Sequence, residues 1–411
     1  MAHVDSGRAW AVLAGATLML IVVFGIAYSY GQFLTPLSRE FGMGAGTVSA
    51  LFSVNSLIFF CLGAITGPLA DRIGLRRMFC FGALIYVLGL VATSFVFEPW
   101  QAYLTYGIGT GLGIGAMYVP VVSAVGRWFE HYRALASGIA FSGIGLGTVI
   151  GPPAIAALVD EVGWRVAFPV CGSVATVALL VVLCLLATPP APVESATAME
   201  RHFGFGQLYV SALLLNCALY VPFVHLSPSA LSLGLTSATA ALLVSVVGGA
   251  SIAGRILLGA AATRWSTISL YLGCYGCVAA SLPIWATMSG FPQLMAFAAV
   301  FGVGYGGYIA LTPVVLAELY GTRDLSTRLG LIYTAIGLGA STGPLATGLV
   351  VQATGAYSIA IWLLCILVVG GLLLGLPLLR DQRQRGGPRA QRRHGTPSHG
   401  GCDRGPLGQN E

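Results

Sequence analysis

Lysine is missing from this chain: all 20 of its basic residues are arginine. Charge of either sign is scarce, at 8% of residues, against about 25% in an ordinary soluble domain. Without lysine there is no phosphate-gripping loop of the G-x-x-x-x-G-K type, which excludes ATP-driven pumping by this chain. So few ionised groups cannot cover a water-facing surface, whereas lipid accepts a chain that is 56% hydrophobic. The 14 acidic residues fall at the ends of apolar runs, in loops or in the tail. A catalytic carboxylate or histidine cluster inside the bilayer, which a membrane-embedded enzyme needs, is therefore absent from the pattern. The nine cysteines follow no disulfide or metal plan. All but Cys402 sit in apolar runs, and the CxxC spacing of Cys274 and Cys277 has no second pair or nearby histidine, so inert core thiols are expected. No cleavable leader is expected, because Arg8 runs directly into a long apolar segment without a small-residue cleavage site. No cofactor, metal or nucleic-acid partner is implied.

Apolar stretches long enough to cross a bilayer, about 20 residues each, recur along the chain. They predict twelve spans near 10–32, 47–70, 78–97, 101–126, 134–159, 166–187, 207–227, 236–261, 268–288, 292–317, 329–352 and 356–379. With both termini inside, every arginine falls on the cytoplasmic side except Arg39 and Arg165 outside and Arg255 within a span, the bias that the positive-inside rule demands. An inner-membrane, multi-pass protein with cytoplasmic termini follows, with the lipid bilayer as its surroundings and a monomer as the expected state.

The chain also repeats itself. A shift of 192 positions superposes Tyr28 on Tyr220, Pro36 on Pro228, Gly42 on Gly234, Gly67 on Gly259 and Arg72 on Arg264. The same shift carries Gly138, Gly147, Gly151 and Pro152 onto Gly330, Gly339, Gly343 and Pro344. The expected architecture is thus an all-α membrane protein of two pseudo-symmetric six-helix bundles, 1–187 and 207–380. A cytoplasmic linker at 188–206 joins them, and a disordered polar tail at 381–411 follows. Two parallel repeats with a binding site at the midplane between them are a transporter design.

Between spans two and three the chain reads Gly67-Pro-Leu-Ala-Asp71-Arg72-Ile-Gly74-Leu-Arg76-Arg77. Gly67 permits close helix approach, and Asp71 sets a carboxylate at a helix end where it can meet Arg127 or the helix beginning near Arg328. This loop resembles the signature G-x-x-x-D-R-x-G-R-R of the major facilitator superfamily. In that family it latches the halves on the cytoplasmic side and breaks during transport, which implies a gating role for Gly67, Asp71, Arg72, Gly74, Arg76 and Arg77. The second-half copy has Thr263 in place of the acid. The spacing Gly138, Gly147, Gly151-Pro152 is similar to the fifth-helix motif of drug–proton antiporters. Its recurrence in span eleven favours helix packing over that label. Further segments, Tyr30-Gly31-Gln32-Phe33 through Glu40-Phe41-Gly42, Arg127-Trp128-Phe129, Gly163-Trp164-Arg165 and Ala253-Gly254-Arg255, resemble the monocarboxylate porter and oxalate/formate antiporter branch.

Arg255 is the one full charge well inside a span. Span eight descends from outside to inside and helical side chains lean toward their own N-terminus, so Arg255 points to the bilayer centre, about 13 Å deeper than Arg264 at 1.5 Å per residue. No acid lies at comparable depth, and a guanidinium in a dry cavity suits two-pronged capture of a carboxylate. The resemblance implies the same, since the span-eight arginine of that branch contacts the substrate anion. It also exposes two departures. Ser251 stands where animal monocarboxylate porters carry a proton-handling acid, and the span-eleven lysine of the oxalate/formate type is absent.

The expected cavity wall comprises Tyr28 and Gln32, Asn216 and Tyr220, each pair at i, i+4, with Tyr118 and Tyr308. Further polar candidates are Tyr305, Thr312, Asn55, Ser142 and Tyr333. His225 reads as an interfacial residue near the outer end of span seven. The function expected is secondary transport of a small organic anion, a monocarboxylate, by alternating access with a proton as the candidate coupling ion. A drug or metabolite exporter of the same superfamily is the alternative.

Overall fold

A computed structural model describes residues 5–129, 132–188, 204–262, 264–320 and 325–385. Most of the linker, Thr263 and the tail beyond 385 lie outside the described residues. Among those described there are helices and no strand. Helix α1 spans Gly7–Phe41, α2 Ala45–Ile73, α3 Leu75–Thr93 and α4 Pro99–Trp128. One continuous run, Arg133–Leu185, holds α5 and α6. Then follow α7 (Phe205–Ser232), α8 (Ser237–Ala261), α9 (Thr267–Ala286), α10 (Phe291–Tyr320), α11 (Leu325–Thr354) and α12 (Tyr357–Arg385).

Eleven of these helical runs are long and apolar enough to cross a membrane. The 51-residue run Leu135–Leu185 is one of them and is long enough for two crossings. Gly163 divides it, with φ 77° and ψ 162°, a conformation that costs glycine nothing and a β-carbon dearly. The loop expected between the spans 134–159 and 166–187 is thus a single-residue reversal. Gly355, its partner at the same shift of 192, has φ 70° and turns α11 into α12. Twelve spans result. The last one continues to Arg385, past the boundary expected at 380.

The outward faces carry apolar side chains that only lipid could cover: Phe81, Leu84 and Leu88 of α3, Leu180 of α6 and Ile366 of α12 are each more than half exposed. The inward faces pack through glycine. A β-carbon on Gly147 or Gly151 would strike the backbone of α1 at Ile21 and Gly25, and one on Gly339 or Gly343 would strike α7 at Asn216 and Cys217. Gly25 and Cys217 are themselves 192 apart, so the repeat holds for contacts as well as letters. It holds for helix breaks too: α1 is interrupted at Tyr28–Tyr30 and α7 at Tyr220. The halves meet along two seams, α2 against α11 and α5 against α8, which the repeat interchanges.

Candidate functional site

A cavity lies between the halves. Tyr28 from α1, Tyr118 from α4, Tyr220 from α7 and Tyr308 from α10 line it, as do Phe24, Phe60 and Tyr333. The breaks in α1 and α7 fall here, which brings Tyr28 and Tyr220 to the wall from equivalent positions, with ring centroids 6.2 Å apart.

Arg255 lies beside this wall, 8% exposed. Its Nη1 donates to the carbonyl of Phe141 in α5, and Phe141 itself lines the cavity. Tyr305, Tyr28, Tyr118 and Tyr220 are the groups that interact electrostatically with the guanidinium. Its Nε and Nη2 are buried without a hydrogen-bond partner among the described residues. These two nitrogens form one edge of the planar group, the edge that matches the two oxygens of a carboxylate. An arginine left with that edge idle in a low-dielectric wall is either costly or reserved for a ligand.

Not every expected wall residue reaches the cavity. Asn216 stands one step behind it, its Nδ2 donating to the Tyr308 hydroxyl at 2.8 Å and its Oδ1 unpartnered. Gln32 is elsewhere. Its amide donates to Ser227 Oγ at 2.7 Å across the two halves. The i, i+4 spacing from Tyr28 does not put both on one face, because the helix is interrupted between them. Ser142 and Asn55 bond locally, Ser142 to the Ile139 carbonyl and Asn55 to Thr110 Oγ1. Phe24, Phe60 and the Phe141 carbonyl are wall elements that sequence reasoning missed. A phenylalanine on a helix gives no signal that separates cavity from core, and a carbonyl gives none at all.

Hydrogen bonds that join the halves cluster toward the Glu40 end of the bundle. Besides Gln32 with Ser227, Ser245 Oγ donates to the Val149 carbonyl at 2.7 Å, and Gly46 N donates to Gln352 Oε1 at 3.3 Å. His225, fully buried, shares its Nε2 between Ser49 Oγ at 3.1 Å and the Pro344 carbonyl at 3.0 Å. It is a contact between α7, α2 and α11 inside this seam, deeper than the interfacial position expected for it. A separate staple holds the same end of the first half. Glu40 accepts from Trp164 Nε1 at 2.5 Å and Arg165 Nη2 at 2.6 Å, while Arg165 Nη1 caps the Ser94 and Val96 carbonyls at the end of α3.

At the opposite, arginine-rich end the charged groups engage within their own half. Asp71 Oδ1 pairs with Arg127 Nη1 at 2.8 Å, and Arg76 donates to the Leu183 carbonyl at 3.0 Å. Arg72 and Arg77 are exposed. Gly74 turns α2 into α3 at φ 96°, and a β-carbon on Gly67 would touch Val119 of α4 at 3.4 Å. In the second half Arg328 lies over the Tyr320 ring at 4.6 Å and Thr267 donates to Glu318 at 2.6 Å. The cavity walls at Thr312, Pro313 and Leu329 lie toward this end. The halves are thus joined at the Glu40 end, with the cavity on the arginine-rich side of the closure.

The human proteins "Monocarboxylate transporter 12" and "Monocarboxylate transporter 11" are 29% and 28% identical to this chain, each covering 91% of it, and the matches cover 81% and 84% of their own lengths. "MFS-type transporter 1" of Ophiocordyceps sp. is 27% identical over 90% of this chain and 85% of its own. Among solved structures, a bacterial homologue of the human lysosomal transporter Spinster, inward-facing and occupied, superposes with a TM-score of 0.75. It shares 15% identity and covers 93% of this chain and 100% of its own. The family model described as Major Facilitator Superfamily matches residues 16–287 and 208–401. With that match over nearly the whole chain, and a signature loop whose acid pairs with Arg127, the chain belongs to the major facilitator superfamily of membrane transporters.

Proposed function

We propose that the chain is a secondary transporter of a small organic anion, a monocarboxylate, held by Arg255 in the cavity between the halves. The observation that carries this reading is the idle Nε and Nη2 edge of a buried guanidinium that is bonded to the Phe141 carbonyl of the cavity wall. One such edge satisfies one carboxylate, and the cavity lining itself supplies no cation for a second anionic group. Tyr28, Tyr118, Tyr220 and Tyr308 frame the ligand, Asn216 fixes the Tyr308 hydroxyl, and Gln32 helps to close the Glu40 end. The names of the monocarboxylate transporters it resembles support the same substrate class.

Asp71, Arg72, Arg76 and Arg77, with Gly67 and Gly74 shaping the loop, form the gating element at the arginine-rich end. The arginine bias assigns that end to the cytoplasm and the Glu40 end to the outside of a cell inner membrane. On that assignment the closure faces outward. A proton is the coupling ion we favour, although Ser251 at the acid position of animal porters leaves its carrier to another residue.

The test is uptake and counterflow in liposomes containing the purified protein, with a panel of mono- and dicarboxylates. Monocarboxylates should move, and Arg255→Gln should lose their transport while still inserting and folding. Full acid transport by the glutamine variant, or transport of dicarboxylates alone, overturns the reading.

A further inference from the structure

Six of the aromatic side chains on the cavity wall touch one another in a closed circuit. Phe24 meets Tyr118 at 5.4 Å between ring centroids, Tyr118 meets Tyr333 at 6.4 Å, and Tyr333 meets Phe60 at 6.3 Å. Phe60 meets Tyr220 at 5.6 Å, Tyr220 meets Tyr28 at 6.2 Å, and Tyr28 returns to Phe24 at 5.3 Å. Four of these rings come from the first half and two from the second. The circuit is therefore assembled only when the halves are docked, and no single helix pattern would reveal it. Five of its six contacts are edge-to-face, the geometry that leaves ring faces and edges available to a further ring.

The Tyr28 hydroxyl accepts from Tyr305 at 3.3 Å and is thereby taken up. What a ligand meets on this wall is mostly carbon, with aliphatic surface from Ile144, Ile309 and Ile336 beside the rings. The guanidinium is held next to the circuit by its bond to the carbonyl of Phe141 on the cavity wall, and Tyr28, Tyr118 and Tyr220 of the circuit interact with its charge. A carboxylate that reaches this guanidinium from the cavity leaves its substituent among the rings. A cationic substituent would sit close to a fixed positive charge, and a second carboxylate would be buried among rings without a partner.

We propose that the substrate is a ring-bearing monocarboxylate, an arylalkanoate rather than a short hydroxy acid. This rests on the reading of Arg255 as the carboxylate anchor and adds the class of its substituent. Each edge-to-face contact contributes a few-fold to about tenfold in affinity beyond the area it buries, so a ring should be preferred over an alkyl chain of equal bulk.

The experiment compares kcat/KM for phenylacetate, hexanoate, lactate and glycine betaine in liposomes containing the full chain. Phenylacetate should exceed hexanoate by at least roughly fivefold, two ring contacts' worth at the lower end, and lactate by more. Tyr333→Leu should cut the phenylacetate-to-hexanoate ratio roughly three- to tenfold, whereas Tyr333→Phe, which keeps the ring, should retain it. Equal or better transport of hexanoate or lactate, or a preference for glycine betaine, overturns the aromatic assignment. If short acids move and Arg255→Gln abolishes their movement, the anchor stands and only the ring preference has failed. If none of the acids moves, both have failed together.

Discussion

Closure at the Glu40 end depends on glycine, and one substitution there should hold the end open. Gly348 of α11 lies so close to α2 that a β-carbon would sit 2.8 Å from both the Ala45 carbonyl and Ser49 Oγ, and 2.9 Å from the α-carbon of Gly46. Ordinary carbon contacts begin near 3.4 Å, so alanine already forces a displacement, and Gly348→Val adds two methyls to it. Overpacking of this kind costs about 1–3 kcal/mol. The cost applies only while α2 and α11 are docked, because separating the halves at this end removes the clash. The difference between the two states shifts their equilibrium by roughly 5- to 150-fold toward opening at the Glu40 end. Spin labels at positions Arg39 and Thr354, in a cysteine-depleted background, report that separation as a pulsed-resonance distance distribution. The valine variant should broaden and lengthen it and slow turnover. Gly273→Val on α9, where a β-carbon meets nothing within 4 Å, should change neither. An unchanged distance distribution with normal turnover in Gly348→Val would refute the claim that this seam is a moving closure.

Two further predictions concern charge. Arg255→Lys keeps a cation but loses the planar edge and the bond to the Phe141 carbonyl, so carboxylate binding measured by equilibrium quenching should weaken by about 1.5–3 kcal/mol, roughly ten- to hundredfold; unchanged affinity would remove the two-pronged contact from the mechanism. Asp71→Asn breaks the 2.8 Å pair with Arg127 without touching the cavity, so it should slow turnover while leaving substrate affinity within about twofold, and a variant with wild-type turnover would dismiss the loop as a gate.

Much of this was legible because membrane spans are governed by few rules. Apolar length marked the spans, and the 192 register survives as physical equivalence: Gly151 packs on Gly25 as Gly343 packs on Cys217. Arg255, expected well inside a span, lies in α8 and is buried. The failures have equally definite causes. The i, i+4 spacing of Tyr28 and Gln32 implies a shared face only in an unbroken helix, and the interruption at Tyr28–Tyr30 turns Gln32 into the seam with Ser227. The loop before Trp164 shrinks to Gly163 because one positive-φ residue suffices to reverse two helices. The aromatic circuit was invisible for another reason. Phe60 and Tyr333 lie on helices of different halves, and their meeting at 6.3 Å is a property of docking rather than of either sequence segment.

The idle edge of Arg255 also bears on how transport is coupled. In a conformation that lets water reach Nε and Nη2 they are solvated; where they are buried on an empty site, as here, they go unpaired. An unpaired buried ion costs several kcal/mol, and arginine cannot shed its proton to escape the cost. A bound carboxylate removes it, since ion and counter-ion enter the closed state together. Reorientation of the loaded carrier should therefore be faster than that of the empty one, by tenfold for each ~1.4 kcal/mol of this difference. In liposomes preloaded with a transported acid, exchange against external acid should outrun net efflux into acid-free buffer by at least that factor. Arg255→Gln, which has no charge to bury, cannot show the asymmetry even where some flux remains. Net efflux as fast as exchange in the wild-type chain would mean that the empty site closes without penalty, and that Arg255 finds in the closed state a partner this conformation does not provide.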